Sequence, residues 1–356
     1  MSLKEAGNPP KMRKFVSEHR PTKRGKTDQL EMNTPKDLFR TPIERINLSH
    51  KIDYKSHILS LGSCFSEHIA KELDDHKFHV VSSPTGILFN PMSIASHLHM
   101  YRTNRYFLKN ELLHDKDHWF SYDFHSDFSG RTAEECLKRI HQGVAAGSQA
   151  LEEADTLLLT WGTSWVYRHN GLEVANCHKQ PASEFERVRQ SVAWIVKGYS
   201  HLIEHHLPDK RIILTISPVR HLGDGLVENS LSKATLRLAA DELCQKFPQV
   251  EYFPSYEILM DDLRDYRFYA DDMLHPSMRA IEYVWEKFAE AALTPATQKT
   301  MQKVEKVMDI VHHRPRDPQS KSHLTLVRHT LKEMDRLPEV DFQRERAAFL
   351  KCLEII

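Results

Sequence analysis

The sequence has no excess charge, few cysteines and no long apolar run, and each absence excludes a class of protein. Lysine plus arginine and aspartate plus glutamate both number 49, so no net field favours nucleic acid or a membrane surface. No stretch approaches the ~20 apolar residues of a membrane span, and the N-terminus lacks the apolar core of a signal peptide. The five cysteines are scattered and odd in number, so a disulfide framework is not expected. We therefore expect a cytoplasmic protein that binds neither nucleic acid nor membranes.

Histidine is abundant, with 23 residues, but the spacings of a metal site are missing from the sequence. There is no His-Glu-x-x-His and no Cys-x-x-Cys segment. His201, His205 and His206 recur at helical spacing, which is more typical of the polar face of a surface helix than of metal ligands. The sequence therefore predicts no metal site and requires no organic cofactor.

The composition divides the chain into three parts. Residues 1–35 are polar and basic with little apolar periodicity, which predicts a disordered arm, and a nucleic-acid tail is the less favoured alternative. Residues 36–294 are predicted to form an α/β domain, and residues 295–356 a helical C-terminal appendage. The helices predicted for the appendage are 297–312, 321–335 and 341–354. Such an appendage either packs on the domain or mediates self-association, so a homo-oligomer is one expected state.

Five short apolar runs in the centre of the chain are predicted to be buried parallel strands. They are residues 56–61, 78–83, 155–161, 211–216 and 250–254. Helical patterns lie between them, near 66–74, 92–101, 131–150, 185–206 and 230–246. Strands that alternate with helices imply an open α/β sheet with helices on both faces. We predict the flavodoxin-like strand order 2-1-3-4-5.

Residues with polar or small side chains follow four of these strands. They are Gly62-Ser63-Cys64, Gly86, Gly162-Thr163-Ser164 and Ser217–His221. Sites in open parallel sheets form outside the carboxyl ends of the strands. The recurrence of such residues at four strand ends therefore favours a site at that edge of the sheet.

The segment Gly62-Ser63-Cys64 is predicted to turn sharply from a strand into a helix. A side chain at a helix start lies near unpaired N–H groups and the positive end of the helix dipole. These groups lower the pKa of a thiol and stabilise a developing oxyanion, so a nucleophilic Cys64 should have a pKa below ~8.5. The alternative is that Ser63 only caps the helix and Cys64 only packs in the core.

The second chemical motif is Asp272-Met273-Leu274-His275-Pro276-Ser277, which precedes a predicted helix. Histidine is the base best matched to neutral pH, and a nearby carboxylate can fix its tautomer and stabilise the imidazolium. We therefore predict His275 as general base and Asp272 as its orienting acid, against the alternative of a surface loop in which Ser277 caps a helix. Four residues are expected to line one cleft: Cys64, Gly86, Thr163 and His275.

These motifs resemble those of the GSCFA family, named for a Gly-Ser-Cys-Phe-Ala motif that here reads Gly62-Ser63-Cys64-Phe65-Ser66. Further family-like segments are 160–167, 176–179, 217–221 and 263–269, the last leading into Asp272–His275. The resemblance covers about residues 38–320. The family is similar in fold to the SGNH (GDSL-type) hydrolases, so the resemblance implies an SGNH-like GSCFA domain within residues 36–294.

The SGNH resemblance implies roles for individual residues. In the SGNH register Cys64 takes the nucleophile position, and Ser63 is the alternative nucleophile. The oxyanion hole would use the backbone N–H groups of Cys64 and Gly86. The asparagine of the SGNH Gly-x-Asn-Asp block is missing, and the candidates to replace it are Thr163, Ser164 and Asn176.

Three further residues are candidates for substrate binding. Arg220 and His221 end a strand and could bind an anionic or polyhydroxyl substrate, or form ion-paired loop structure instead, and Trp165 lies in a family-like segment. The preferred function is an ester hydrolase or O-acyltransferase acting on a small-molecule or carbohydrate ester. The rival is a non-catalytic module that binds a carbohydrate or acyl ligand on a degenerate SGNH fold.

Overall fold

A computed structural model of the protein describes residues 41–354. The predicted basic arm, residues 1–35, lies outside the described residues. All of the predicted strands, the C-terminal helices up to residue 354 and all of the candidate site residues lie within them.

Ten β-strands are distributed over three sheets in the described part of the chain. They are β1 (His57–Gly62), β2 (His79–Ser82), β3 (Leu113–Asp115), β4 (His118–Phe120), β5 (Thr156–Trp161), β6 (Trp165–His169), β7 (Leu172–Val174), β8 (Glu186–Arg189), β9 (Arg211–Ile216) and β10 (Val250–Phe253). The largest sheet has five strands in the order β10-β9-β5-β1-β2, and every pair in it is parallel. The predicted flavodoxin-like order is therefore confirmed.

Helices cover both faces of this sheet. The α-helices of the described residues are α1 (Cys64–Asp75), α2 (Pro91–Thr103), α3 (Ala133–Glu153), α4 (Val192–His206), α5 (Leu226–Lys246), α6 (Ser255–Glu257, continued by a π-helix at Ile258–Leu263), α7 (Met278–Ala292), α8 (Pro295–His312), α9 (Lys321–Asp335) and α10 (Gln343–Glu354). Alternate residues of β5 separate the two cores: Leu158 packs with α1 and α7, whereas Leu157 and Leu159 pack with α2 to α5. This alternation explains why each central strand is apolar throughout.

The two smaller sheets are antiparallel, with orders β3-β4 and β7-β6-β8. The prediction of a single helix over 185–206 is wrong at its start, because Glu186–Arg189 forms β8 and pairs with β6. Helix α4 begins only after Ser191, whose side chain accepts a hydrogen bond from the N–H of Trp194. The three-stranded sheet follows directly after β5 and so lies beside the predicted site.

The C-terminal helices pack on the domain. The side chains of Val304 in α8, Val327 and Met334 in α9 and Phe349 in α10 belong to the same apolar core as α1 and α7. Helix α8 begins with Pro295 after the N-cap Thr294, which accepts a hydrogen bond from the N–H of Thr297. Of the two roles expected for these helices, packing on the domain is therefore seen. Within residues 41–354, no helix has the length and apolar character needed to cross a membrane.

Candidate active site

The turn from β1 into α1 is fixed by Gly62. Its φ is +150°, and a Cβ at this position would lie 2.3 Å from the carbonyl oxygen of Thr160 on the neighbouring strand β5. Only glycine tolerates that close approach and that backbone conformation. The turn makes Ser63 the N-cap residue of α1 and Cys64 its first helical residue.

Ser63 occupies the capping position without using its side chain as a cap. Its N–H donates to the Thr160 carbonyl at 3.2 Å, and its own carbonyl accepts from the N–H of Ser66 at 2.8 Å. Its hydroxyl is buried and has no hydrogen-bond partner among residues 41–354. Ser63 is therefore the N-cap residue that the alternative expected, but its hydroxyl takes no part in capping and its hydrogen-bonding capacity is unused among the described residues.

Cys64 presents a partly buried thiol at the start of α1. Burial raises the pKa of this thiol, and the Glu67 carboxylate adds to the effect. The backbone N–H groups of Phe65 and Cys64 and the charge of Lys233 act in the opposite direction, but burial outweighs them. The prediction of a lowered pKa is therefore wrong for this structure, because it allowed for the helix start and not for burial.

Asp272 and His275 form the predicted pair. Oδ2 of Asp272 lies 2.6 Å from Nδ1 of His275, and Oδ1 accepts hydrogen bonds from the N–H of Leu274 at 2.9 Å and of His275 at 3.0 Å. The backbone N–H and the imidazole of His275, together with the N–H of Leu274, lower the pKa of Asp272 to about 2. The carboxylate is therefore ionised at neutral pH, and Nε2 is the imidazole nitrogen left for proton transfer. Ser277 also caps α7, as the alternative reading expected.

The Asp272–His275 loop lies against the loop that follows β9. The N–H of Arg220 donates to the carbonyl of Leu274 at 3.2 Å. Burial lowers the pKa values of His68 in α1 and of His221, and the charge of protonated His275 adds to both shifts. The imidazole of His275 therefore lies in electrostatic range of the first turns of α1 and of the β9 loop. A direct contact between His275 and the nucleophile stays a prediction.

Gly162 lies at the centre of the strand ends. Its N–H and that of Thr163 donate to the carbonyl of Phe89 at 2.8 and 3.0 Å. A Cβ at Gly162 would lie 2.9 Å from that carbonyl, 3.2 Å from Cβ of Ser63 and 3.6 Å from Nε2 of His221. Ser63 and His221 therefore both lie on the side of Gly162 where a Cβ would project, and the missing side chain leaves room for them.

The N–H of Gly86, the second predicted oxyanion donor, is already used. It donates to the carbonyl of Ser83 at 2.8 Å and closes a tight turn after β2. The φ of Gly86 is +89°, and a Cβ there would lie 2.5 Å from Cβ of His125. The glycine is therefore explained by the turn and by close packing, and its hydrogen bond argues against Gly86 as an oxyanion donor.

The hydroxyls of Thr163 and Ser164 are also committed. Both lie 3.1 Å from Oγ of Ser232 in α5, and the N–H of Ser164 donates to the same oxygen at 2.7 Å. Thr163 additionally accepts from the N–H of Trp165 at 3.1 Å. These hydrogen bonds fix the chain between β5 and β6, so both hydroxyls have a structural role that the sequence did not reveal.

A cavity of about 460 Å³ lies beside Gly162 and holds the remaining candidate, Asn176. Its walls include Phe89, Thr163, Trp165, Tyr167, Asn176, Phe185 and His221. Oδ1 of Asn176 accepts from the N–H of His178 at 2.8 Å, which directs the amide. Nε1 of Trp165 is buried without a hydrogen-bond partner in the described part of the chain. The volume is in the range of small-molecule sites, roughly 300–1,000 Å³.

His221 reaches this cavity as a neutral group. Burial lowers its pKa to about 4, the charges of Lys233 and His275 add to the shift, and the nearby carbonyl of Gly162 opposes it. Its Nε2 is buried and unpaired within residues 41–354. At neutral pH the His221 imidazole can therefore donate or accept a hydrogen bond with a ligand, but it carries no positive charge that would attract an anion.

The guanidinium of Arg220 packs against two tyrosine rings. It stacks 4.1 Å from the ring centroid of Tyr269, and its Nε donates to the hydroxyl of that residue at 3.1 Å. A second ring, Tyr266, lies 5.2 Å away. These contacts favour the structural alternative for Arg220, in a stacked rather than an ion-paired form.

Lys233 is the residue that sequence analysis missed. It lies in α5 with only 2% of its surface exposed, and its Nζ donates to the carbonyls of Gly162 at 2.7 Å and Ser217 at 2.6 Å. Asn229 and Leu236, four residues before and three after it, are buried on the same helix face. A lysine on the apolar stripe of a helix was the signal that could have identified it. We call Ser63, Phe89, Gly162, His221 and Lys233 the Gly162 cluster.

No group of three or more His, Cys, Asp or Glu side chains among residues 41–354 is arranged to hold a metal ion.

Comparison with known families matches most of the chain. A model described as the GSCFA family matches residues 57–288, and one described as the GSCFA domain protein, C-terminal domain, matches residues 299–355. A comparison with curated proteins gives no match. The first model spans all five strands of the parallel sheet and both chemical motifs, and the second spans nearly all of α8 to α10. The chain therefore belongs to the GSCFA family.

Proposed function

We propose that the protein is an SGNH-like ester hydrolase or O-acyltransferase. The observation that carries this proposal is the Asp272–His275 pair, with Nδ1 of the imidazole 2.6 Å from an ionised carboxylate. Its loop is hydrogen-bonded to the β9 loop, and the charge of His275 acts on His68, one turn beyond Cys64. An oriented base near the start of a helix is the arrangement that acyl transfer requires.

In the proposed reaction, the Cys64 thiol or the Ser63 hydroxyl attacks the ester carbonyl, and His275 takes its proton. The alkoxide leaves with that proton, and an acyl-enzyme remains. Water or an acceptor hydroxyl then attacks, His275 takes the second proton, and the proton returns to the nucleophile as the acyl group departs. Asp272 stays ionised throughout and stabilises the imidazolium.

Because the pKa of Cys64 is raised, a thiol nucleophile at this position would need a base. The thiol is protonated at rest, so it needs the imidazole as a base at the moment of attack. A Ser63 nucleophile needs the same base, and this alternative is supported by the Ser63 hydroxyl, which has no hydrogen-bond partner among residues 41–354. Both assignments therefore depend on His275.

The cavity beside Gly162 supports a small-molecule or carbohydrate ester as substrate. Aromatic walls bind an acyl group or the C–H face of a sugar, and the amide of Asn176 and the imidazole of His221 can hydrogen-bond polar groups. His221 and Thr163 belong to the cavity and border Gly162, so a ligand there would lie next to the strand ends.

The alternative function is a non-catalytic binding module. It is favoured by the hydrogen bonds that already occupy Gly86, Thr163 and Ser164, since these groups cannot serve as free oxyanion donors. Loss of one such donor costs roughly 10²–10³ in rate in other enzymes. The backbone N–H of Cys64 is then the main donor proposed for the oxyanion.

Activity-based labelling tests the two functions against each other. The full chain is treated with a fluorophosphonate and with iodoacetamide, and the modified peptide is found by mass. Labelling of Ser63 or Cys64 that is lost in His275→Ala, but kept in His329→Ala, supports the enzyme. His329 is a matched control because it lies 3.7 Å from Glu333 in an exposed carboxylate–imidazole pair of α9. Absence of labelling at both residues, together with no turnover of a panel of acetyl and longer acyl esters, rejects the enzyme.

A further inference from the structure

Lys233 is a cation placed where burial is costly. It lies in the middle of α5 and is among the largest fully buried side chains of the described residues. Burying an ammonium group costs free energy unless hydrogen bonds compensate it. Its position therefore calls for an explanation beyond the packing of α5.

The hydrogen bonds of Lys233 join two adjacent strands at their carboxyl ends. Gly162 is the first residue after β5 and Ser217 the first after β9, and these strands pair in parallel up to Trp161 and Ile216. Nζ donates to both carbonyls, at 2.7 and 2.6 Å. One side chain thus fixes the separation of the two loops that follow.

Both loops carry residues of the site. Gly162 borders both Ser63 and His221, and His221 is four residues beyond Ser217. The N–H of Arg220, in the same β9 loop, holds the Leu274 carbonyl beside His275. A shift of either carbonyl would therefore change the spacing of the candidate nucleophile, His221 and His275.

The charge of Lys233 reaches the same residues. It favours the thiolate of Cys64, against burial, and it disfavours protonation of His221, together with burial. Its field is therefore positive on the side of the strand ends where the proposed reaction places an oxyanion.

We propose that Lys233 is a positioning residue of this site, whose ammonium group holds the ends of β5 and β9 together and supplies positive charge beside the nucleophile. It compensates in part for the side-chain donor that the Gly-x-Asn-Asp block would have provided. The rate effect rests on the proposed function, whereas the effects on Cys64 and His221 do not.

Lys233→Met and Lys233→Arg separate charge from geometry, and Lys246→Met is the control. Lys246 is on the same helix but exposed, where it pairs with Glu204 at 2.9 Å. Imidazole NMR follows the titration of His221, and iodoacetamide kinetics with peptide mass follow Cys64. In Lys233→Met the His221 midpoint should rise by about one pH unit and Cys64 alkylation at pH 8 should slow about threefold to tenfold. In Lys233→Arg both should stay near the wild type, while labelling or ester turnover falls about tenfold.

The inference is overturned if folded Lys233→Met keeps the wild-type His221 midpoint and Cys64 alkylation rate. Should Lys233→Met not fold, as judged by circular dichroism, the wild-type protein provides the test. A hydrogen-bonded Lys233 ammonium should give an exchange-protected Nζ signal in lysine-selective NMR, and its absence overturns the inference. If the wild type neither turns over esters nor reacts with fluorophosphonate, the proposed function fails, but the His221 and Cys64 measurements still decide the role of Lys233.

Discussion

The Asp272–His275 loop and the Gly162 cluster both contact the loop after β9, but their polar groups are arranged differently. In the loop, which is exposed, both oxygens of Asp272 are hydrogen-bonded within three residues of chain. In the cluster, which is mostly buried, the hydroxyl of Ser63 and Nε2 of His221 have no partner among residues 41–354. The hydrogen bonds of the Asp272 carboxylate are thus satisfied within the loop, whereas the Ser63 hydroxyl and Nε2 of His221 could still hydrogen-bond a bound ligand.

Because of this difference, we expect substitutions to affect stability in one region and chemistry in the other. Substitutions at the cluster that displace backbone or remove a titrating group should change the free energy of unfolding, because the neighbouring groups are fixed by tertiary packing. Substitutions in the exposed loop should change the proposed reaction and leave the free energy of unfolding almost unchanged.

The largest effect is expected for Gly62→Ala at the border of the cluster. A Cβ there meets the Thr160 carbonyl at 2.3 Å and requires a φ of +150°, so backbone of β1 or β5 must move. We expect a loss of about 3 kcal/mol in the free energy of unfolding, measured in urea. Gly223→Ala is the control, since a Cβ there meets no described atom within 4 Å, and it should cost less than about 0.5 kcal/mol. Equal costs for the two variants would contradict the tight strand contact.

A smaller, pH-dependent effect is expected for His221. Its pKa is about 4 in the folded protein and ~6.5 in the unfolded chain, so the unfolded chain binds a proton first as the pH falls. The stability that His221 contributes is therefore complete above pH ~6.5 and declines as the pH falls towards 4. Relative to His221→Gln, the wild type should lose about 2 kcal/mol between pH 7.5 and 4.5.

His97 serves as the internal reference in this measurement. Its pKa is also lowered to about 4 by burial, and it is present in both proteins, so its contribution cancels in the difference. Parallel stability curves for the wild type and His221→Gln would mean that His221 titrates normally and is not buried in the cluster.

Ser63→Ala and Ser66→Ala are expected to differ by about 1 kcal/mol in the free energy of unfolding. Both serines are buried in the same turn, but Oγ of Ser66 donates to the Ser63 carbonyl at 2.7 Å, whereas the Ser63 hydroxyl has no partner among the described residues. Ser66→Ala should therefore cost about 1 kcal/mol, and Ser63→Ala should be within about 0.5 kcal/mol of the wild type or more stable. Urea unfolding distinguishes these outcomes. A Ser63→Ala protein as destabilised as Ser66→Ala would show that the Ser63 hydroxyl is satisfied in solution.

The features that could be predicted from the sequence are those that depend on residues close together in it. The five strands, their order and the C-terminal helices follow from local apolar periodicity and from connection rules, and all are confirmed. The Asp272–His275 pair follows from residues three apart, so its geometry is local too. The strand β8 was missed, although Asn170-Gly171, with φ of 52° and 80°, is the turn signal of the hairpin that precedes it.

The features that could not be predicted depend on partners far along the chain. Ser232 is hydrogen-bonded to the hydroxyl of Ser164, 68 residues earlier in the sequence. Lys233 donates to the carbonyl of Gly162, 71 residues earlier. The pKa of Cys64 rises because helices of the same core bury the thiol, and a sequence motif does not reveal that burial. Residue types and local turns thus indicated a candidate site, whereas the hydrogen-bond partners of its groups could be known only from the tertiary structure.

The smallest effect on stability, with the largest on chemistry, is expected for Asp272→Asn. Asp272 is fully ionised at neutral pH and accepts three hydrogen bonds from its own loop, and an amide oxygen can keep those from the backbone. The amide NH₂ cannot accept from Nδ1–H, so the imidazole should turn to the other tautomer and lose its base at Nε2. We expect labelling or ester turnover to fall about 10²–10⁴-fold with no measurable change in urea midpoint. Imidazole NMR should show the proton moving from Nδ1 to Nε2, and Glu333→Gln, which alters the remote pair with His329, should change neither activity nor the His275 signals. If Asp272→Asn unfolds at lower urea while His275 keeps its tautomer, the loop is a structural support of the sheet edge and the contrast drawn between the two regions does not hold.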